Sequence, residues 1–154
     1  MDTFGRTFML FDTDLRPPTS WWSIWYQIRL RVVWPFRPIA RYVGKVMLFD
    51  RHFSFTGKDK KESSDYKLDV PYSLITDTHL GFDDRYTKAI DVSLALSDYT
   101  KPLRVSFVCD NRLMTAYFLT DFSYGVGGPS INSSNERFLR LLRERIERCN
   151  DRLK

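Results

Sequence analysis

The chain has 154 residues, of which 43% are hydrophobic and 16% are aromatic, and its formal net charge is +5. This length and apolar content suit one folded domain with a continuous core and exclude a disordered chain. No stretch of 18 apolar residues is present, so the sequence predicts no membrane-spanning helix. Cys109 and Cys149 have neither zinc-ligand spacing nor the density of a disulfide scaffold, so we expect free thiols and a cytoplasmic protein.

The first third of the chain predicts an N-terminal extension followed by a long strand. Phe4–Phe11 could form a short strand or an arm, and residues 12–20 read as a proline-containing linker. We therefore assign residues 1–20 to an N-terminal arm and linker, and residues 21–154 to one domain. Apolar residues alternate with polar ones over Trp21–Val33, which predicts a half-buried strand.

Alternation of period two continues along most of the remaining chain and predicts further antiparallel strands. Asp50-Arg51 and Cys109–Arg112 read as the turns of two hairpins, and Asn111 accepts the left-handed backbone that such a turn needs. The predicted strands are Tyr42–Phe49, His52–Thr56, Tyr66–Val70, Leu74–Leu80, Ala89–Leu96, Leu103–Val108 and Leu113–Leu119.

The period changes near residue 135 and predicts one C-terminal helix, roughly Asn135–Leu153. Ser133 and Glu136 have the spacing of a capping box. The apolar stripe of this helix contains Phe138, Leu142, Ile146, Cys149 and Leu153, with Leu139 and Leu141 widening it. Antiparallel strands must close on each other or be covered, because a free strand edge promotes aggregation. The sequence therefore predicts a mainly β fold in which the amphipathic helix covers the open end of a small barrel.

Four runs, in this order, resemble GRAM-type domains of the pleckstrin-homology-like (PH-like) superfold: GKVMLFDRHFSFTG, YKLDVPYSLITDTHLGF, LRVSFVCDNRLMTAYFL and NERFLRLLRERIERC. The resemblance implies a barrel of two near-orthogonal antiparallel sheets capped by one C-terminal helix. It also implies a non-catalytic module that binds lipid headgroups, peptides or protein surfaces. We therefore expect no catalytic activity and no cofactor.

The charge of the chain is uneven and suggests a binding surface. Residues 16–61 hold ten Lys and Arg against two acids, whereas residues 62–134 hold six against ten. Such a basic segment is typical of contact with an anionic partner. Candidate residues for that partner are Arg29, Arg31, Arg37, Arg41, Lys58, Lys60 and Lys61, and candidate interaction aromatics are Trp21, Trp25 and Trp34.

Several functions are compatible with these residues. The first prediction is a protein partner or self-association, and the alternative is peripheral binding to anionic membrane lipid through the basic and aromatic face. Nucleic acid is disfavoured because no RRM, KH or helix-turn-helix pattern is present. His79 lies near Asp77, Asp83 and Asp84, a set that could hold a divalent ion, but the spacing matches no EF-hand and we predict no metal site.

Overall fold

The protein is mainly β structure, as seen in a computed structural model that describes residues 1–15, 39–88, 101–124 and 131–151. One C-terminal helix, α1 (Asn135–Asp151), and two short 3-10 turns (Asp12–Asp14 and Tyr72–Leu74) accompany the strands. The strands are β1 (Asp2–Phe11), β2 (Tyr42–Leu48), β3 (His52–Asp59), β4 (Ser64–Pro71), β5 (Ile75–Leu80), β6 (Leu103–Cys109), β7 (Arg112–Leu119), β8 (Ser123–Tyr124) and β9 (Ile131–Asn132). The prediction of a β-rich fold with a C-terminal helix is confirmed.

Seven of the described strands form one antiparallel sheet in the order β4-β3-β2-β1-β7-β6-β5, and β8 pairs with β9 separately. β1 lies in the middle, pairing with β2 on one side and with β7 on the other. The residues that the sequence left open as a strand or an arm are therefore a central strand. Its register alternates, with Met9 and Phe11 in one apolar cluster and Phe8 and Leu10 in the other, so both faces of β1 are buried.

The two predicted hairpins are confirmed, with strand ends shifted by one to three residues. Asp110 and Asn111 in the β6–β7 turn have φ of 49° and 59°, the left-handed backbone expected there. In the β2–β3 hairpin Gly44 lies opposite Gly57. A Cβ atom at Gly44 would come within 2.5 Å of the Gly57 Cα, so this glycine pair lets the two backbones approach closely and the sheet bend.

The two edge strands of the sheet are joined by a short connection. The 3-10 turn Tyr72–Leu74 leads directly from β4 to β5, and these strands lie at opposite ends of the strand order. Because so few residues span only about 15 Å, the sheet must roll until its edges approach each other. Tyr72 fixes this corner, since its buried side chain donates a hydrogen bond to the Phe49 carbonyl at 2.8 Å. β4 and β5 form no ladder with each other, so the sheet that the described strands form is not closed.

Helix α1 packs its apolar face onto the main core. Phe138 is fully buried, and its ring centroid lies 5.0 Å from that of Phe4 and 5.8 Å from that of Phe118. Leu142 is also fully buried, and partly buried Ile146 and Cys149 pack against the same core. This confirms the predicted stripe as far as Cys149, and Leu153 lies outside the described residues. The capping prediction is wrong by one residue: the first intrahelical bond runs from the Phe138 N–H to the Ser134 carbonyl, so Ser134 precedes the helix and Glu136 stands too early for a capping box.

Asn135 ties the start of α1 to the sheet. Its buried side chain accepts hydrogen bonds from the Thr120 N–H at 2.9 Å and from the Thr120 hydroxyl at 2.8 Å. Its amide donates to the Lys101 carbonyl at 2.6 Å and to the Phe118 carbonyl at 2.9 Å. The Asn135 side chain thus accepts two hydrogen bonds and donates two, which uses all of its hydrogen-bonding positions. These bonds fix the first turn of the helix against the end of β7.

Two strand predictions, Trp21–Val33 and Ala89–Leu96, lie outside the described residues.

On the face of the sheet away from α1, the described chain forms a second apolar cluster around Phe8, Tyr86 and Tyr117. Within the described ranges no helix is long and apolar enough to cross a membrane.

Candidate functional site

Four of the predicted site residues belong to the described chain: Arg41, Lys58, Lys60 and Lys61. The remaining candidates lie outside it, namely Trp21, Trp25, Arg29, Arg31, Trp34 and Arg37. The structure brings the four described cations to one end of β2 and β3. The Lys60 N–H donates to the Arg41 carbonyl at 2.8 Å, which joins the turn after β3 to the residue before β2.

Arg41 is committed to carboxylates of the same chain. Its guanidinium forms ion pairs with Asp14 at 3.1 Å, with Asp59 at 2.7 Å and with Glu62 at 3.2 Å. The hydrogen bond from Arg41, together with those from the N–H groups of Lys61 and Glu62, lowers the pKa of Asp59 despite its burial. The same bonds to Asp59 and Asp14 raise the pKa of Arg41. Three carboxylates therefore neutralise this corner.

Lys58, Lys60 and Lys61 do not all lie in one loop. Lys58 belongs to β3, because β3 extends to Asp59, and its ammonium contacts Asp65 across the ladder at 2.6 Å. The Lys60 ammonium lies 5.3 Å from the centroid of the Phe8 ring, which is a cation–π contact. Lys61 is exposed in the turn. Arg41, Lys58 and Lys60 thus all have attractive contacts within the chain.

Two of the three carboxylates near His79 form ion pairs with an arginine. Arg104 forms ion pairs with Asp77 at 2.6 Å and with Asp83 at 2.9 Å, and the Tyr117 hydroxyl donates to Asp83 at 2.9 Å. Burial favours a higher pKa for Asp83, but hydrogen bonds from the Tyr86 N–H, the Tyr117 hydroxyl and Arg104 outweigh it and lower the pKa. The guanidinium takes the place that a cation would need. In the ranges that the structure describes, no group of three or more His, Cys, Asp or Glu side chains could hold a metal ion.

A groove between β5 and α1 is the feature that sequence reasoning missed. It has a volume of about 310 Å³, and half-buried Leu80 and Leu139 supply its apolar part. Its rim carries both signs of charge, from Glu136, Arg140, Arg143, Glu144 and Glu147. The leucine at position 139 was a signal, because it widens the helical stripe beyond the residues needed for the core. The facing leucine on β5 could not be inferred without knowing how α1 lies against the sheet.

Polar contacts tie α1 to β5, to β1 and to the turn after β2. The Arg143 Nε donates to the Thr78 hydroxyl at 3.4 Å, which ties the helix to β5. The Arg145 guanidinium donates to the Phe49 carbonyl at 2.9 Å and to Asp2 at 2.8 Å. β5 pairs with β6 on one side, and on its other side no described strand pairs with it. The groove thus lies beside the side of β5 that no described strand covers.

The chain matched no family model, and searches of curated proteins and of solved structures found no significant match either.

Proposed function

We propose that this protein is a non-catalytic binding module with a PH-like fold, and that it binds a protein partner. The fold part of the proposal is supported by seven antiparallel strands followed by one helix on the core. The corner at Tyr72–Leu74 divides the strands into β1–β4 before it and β5–β7 after it. A rolled sheet with this division is compatible with the two near-orthogonal sheets that the sequence resemblance implies.

The observation that carries the function is the groove between β5 and α1. An edge strand offers backbone N–H and C=O groups to an added strand, and adjacent side chains select its sequence. Here the Leu80 and Leu139 pair offers a place for one apolar side chain, and the mixed charges of the rim suit a polar remainder. The ligand proposed is an extended peptide segment that lies along β5 with one apolar anchor residue.

The membrane alternative has weaker support from the described residues. Arg41 is paired with three carboxylates and Lys58 with Asp65, so neither side chain is free to attract a lipid headgroup. A cation that is already paired contributes little to attraction by an anionic surface. This alternative is kept as an outcome of the test.

The test starts from a peptide-display selection on the purified protein. Selected peptides are titrated into the labelled protein, and backbone amide shifts are followed by NMR. We expect shifts along Ile75–Leu80 and on the facing side of α1, with the interior strand β2 as the internal control. Methylating alternate backbone nitrogens of the peptide should abolish binding, because it removes hydrogen bonds that an added strand requires.

Two results would argue against the proposal. Peptides whose shifts map elsewhere, or which tolerate backbone methylation, would exclude strand addition to β5. Co-sedimentation with vesicles that increases with anionic lipid and decreases with salt, in the absence of any selected peptide, would favour the membrane alternative.

A further inference from the structure

The outer edge of β4 is the other free edge of the described sheet. β4 pairs with β3 along its whole length, from Ser64 opposite Asp59 to Pro71 opposite His52. No described strand pairs with its other side, because β4 ends the strand order. An edge of eight residues is a ready template for another strand unless the sequence prevents pairing.

The side chains of β4 divide cleanly between the two faces of the sheet. Leu68 and Val70 are buried in the core, whereas Lys67 and Asp69 point to the other face and are exposed over 65% and 42% of their side chains. The Lys67 ammonium contacts the Asp69 carboxylate at 2.6 Å. A lysine on a strand edge normally discourages pairing, because it brings an uncompensated charge to the interface. Here the compensating charge lies two residues away on the same face.

We propose that β4 pairs with β4 of a second copy of this chain, antiparallel and about a two-fold axis through Leu68. Such an interface uses the same surface on both subunits. With this register Lys67 lies opposite Asp69 of the partner subunit, and the reciprocal pair forms on the other side of the axis. Tyr66 lies opposite Val70 of the partner subunit. Four charges of alternating sign then form a ring on the exposed face.

The charge pattern selects this register over its neighbours. A two-fold axis through Lys67, instead of Leu68, would place the Lys67 side chains of the two copies opposite each other and Asp65 opposite Asp69 of the other copy. Both are like-charge pairs. A centre at Asp69 would place the two Asp69 carboxylates in contact. A centre at Tyr66 shortens the overlap to Ser64–Leu68, whereas the centre at Leu68 overlaps Asp65 to Pro71. A centre between two residues would place the core face of one copy beside the exposed face of the other.

This interface goes beyond the proposed function, since it uses β4 and leaves the outer side of β5 and its groove open. Its area is that of one pair of strands, which is small for a protein interface, so we expect a weak dimer that forms as concentration increases. The dimer would carry two peptide grooves on one particle. Either proposal can fail while the other holds.

Sedimentation velocity over a concentration series tests the pairing. The wild-type mass should increase from 18.3 kDa toward twice that value. Lys67→Asp and Asp69→Lys should each weaken self-association by about tenfold, because each creates two like-charge contacts across the axis. Both positions are exposed, and unchanged thermal unfolding of the two variants would confirm that they fold.

Mixing the two variants provides the decisive comparison. The Lys67→Asp chain carries only acids at these two positions and the Asp69→Lys chain only lysines, so an equimolar mixture should form a heterodimer with about wild-type affinity. The double variant, with both charges exchanged, should also recover self-association. A wild-type protein that stays monomeric up to about 1 mM would overturn the proposal. So would single variants that dimerise like the wild type, or a mixture that associates no better than its components.

Discussion

Asn135→Ala should strongly destabilise the protein, because this one side chain forms hydrogen bonds with three residues, Lys101, Phe118 and Thr120. The substitution removes four hydrogen bonds, two from Thr120 and two to main-chain carbonyls of Lys101 and Phe118. A buried hydrogen bond contributes about 1 kcal/mol net, and an abandoned buried partner costs about 1–3 kcal/mol. Four bonds at the lower figure, with some recovery by water, predict a loss of about 3–5 kcal/mol.

Urea denaturation followed by far-UV circular dichroism measures this loss as a lower transition midpoint at unchanged slope. Asn150→Ala is the matched control: Asn150 is exposed in the last turn of the same helix, so its substitution should change stability by less than about 0.5 kcal/mol. A cost below about 1 kcal/mol for Asn135→Ala, similar to that of the control, would refute the reasoning. It would mean that solvent already reaches the groups that the side chain satisfies.

Two further predictions concern the core and the carboxylates of Asp59 and Asp83. Phe138→Ala should cost about 3–5 kcal/mol in the same assay, because the ring is fully buried; exposed Leu113→Ala serves as control, and a cost under about 1 kcal/mol would place the helix outside the core. The pKa values of Asp59 and Asp83 are lower in the folded protein than the value near 3.8 of the unfolded chain. Both carboxylates therefore contribute fully to stability above that unfolded pKa, and the contribution is lost as the pH falls through their folded-state pKa values. Thermal stability should therefore decrease below about pH 4, and less steeply in Asp83→Asn; equal pH slopes in both proteins would contradict this assignment.

The hairpins could be predicted from the sequence because their signals are local. Alternation over β2 and β3 fixes which side chains face the core, and Asp50-Arg51 marks the turn between them. The predicted second strand ended at Thr56, whereas β3 continues to Asp59, so the pairing of Gly57 with Gly44 was not predicted. The helix was predictable for the same reason: period 3.6 is visible within one segment, and Phe138 and Leu142 lie in the core as expected.

Features that depend on distant segments were missed. Nothing near Arg41 in the sequence shows that Asp14 and Asp59 will meet its guanidinium, so it was read as available for an anionic partner. The continuous apolar run at Phe8–Phe11 did carry a usable signal. Four apolar residues in succession are typical of a strand that is buried on both faces, which an arm would not be. Predicting the groove would have required the angle between α1 and β5, and no local sequence pattern contains that information.

The central position of β1 has a consequence for how the chain reaches its fold. β2–β4 and β5–β7 are two meanders whose strands are neighbours in sequence, so each can form through local contacts. β1 joins the two meanders, because it pairs with β2 of one and with β7 of the other, and its partner residues on β7 lie roughly a hundred positions further along the chain. A fragment that begins at residue 21 would therefore lack β1 and would expose the edges of β2 and of β7 that pair with it. During synthesis, β1 emerges roughly a hundred residues before β7, so the side of β1 that pairs with β7 stays uncovered over that interval.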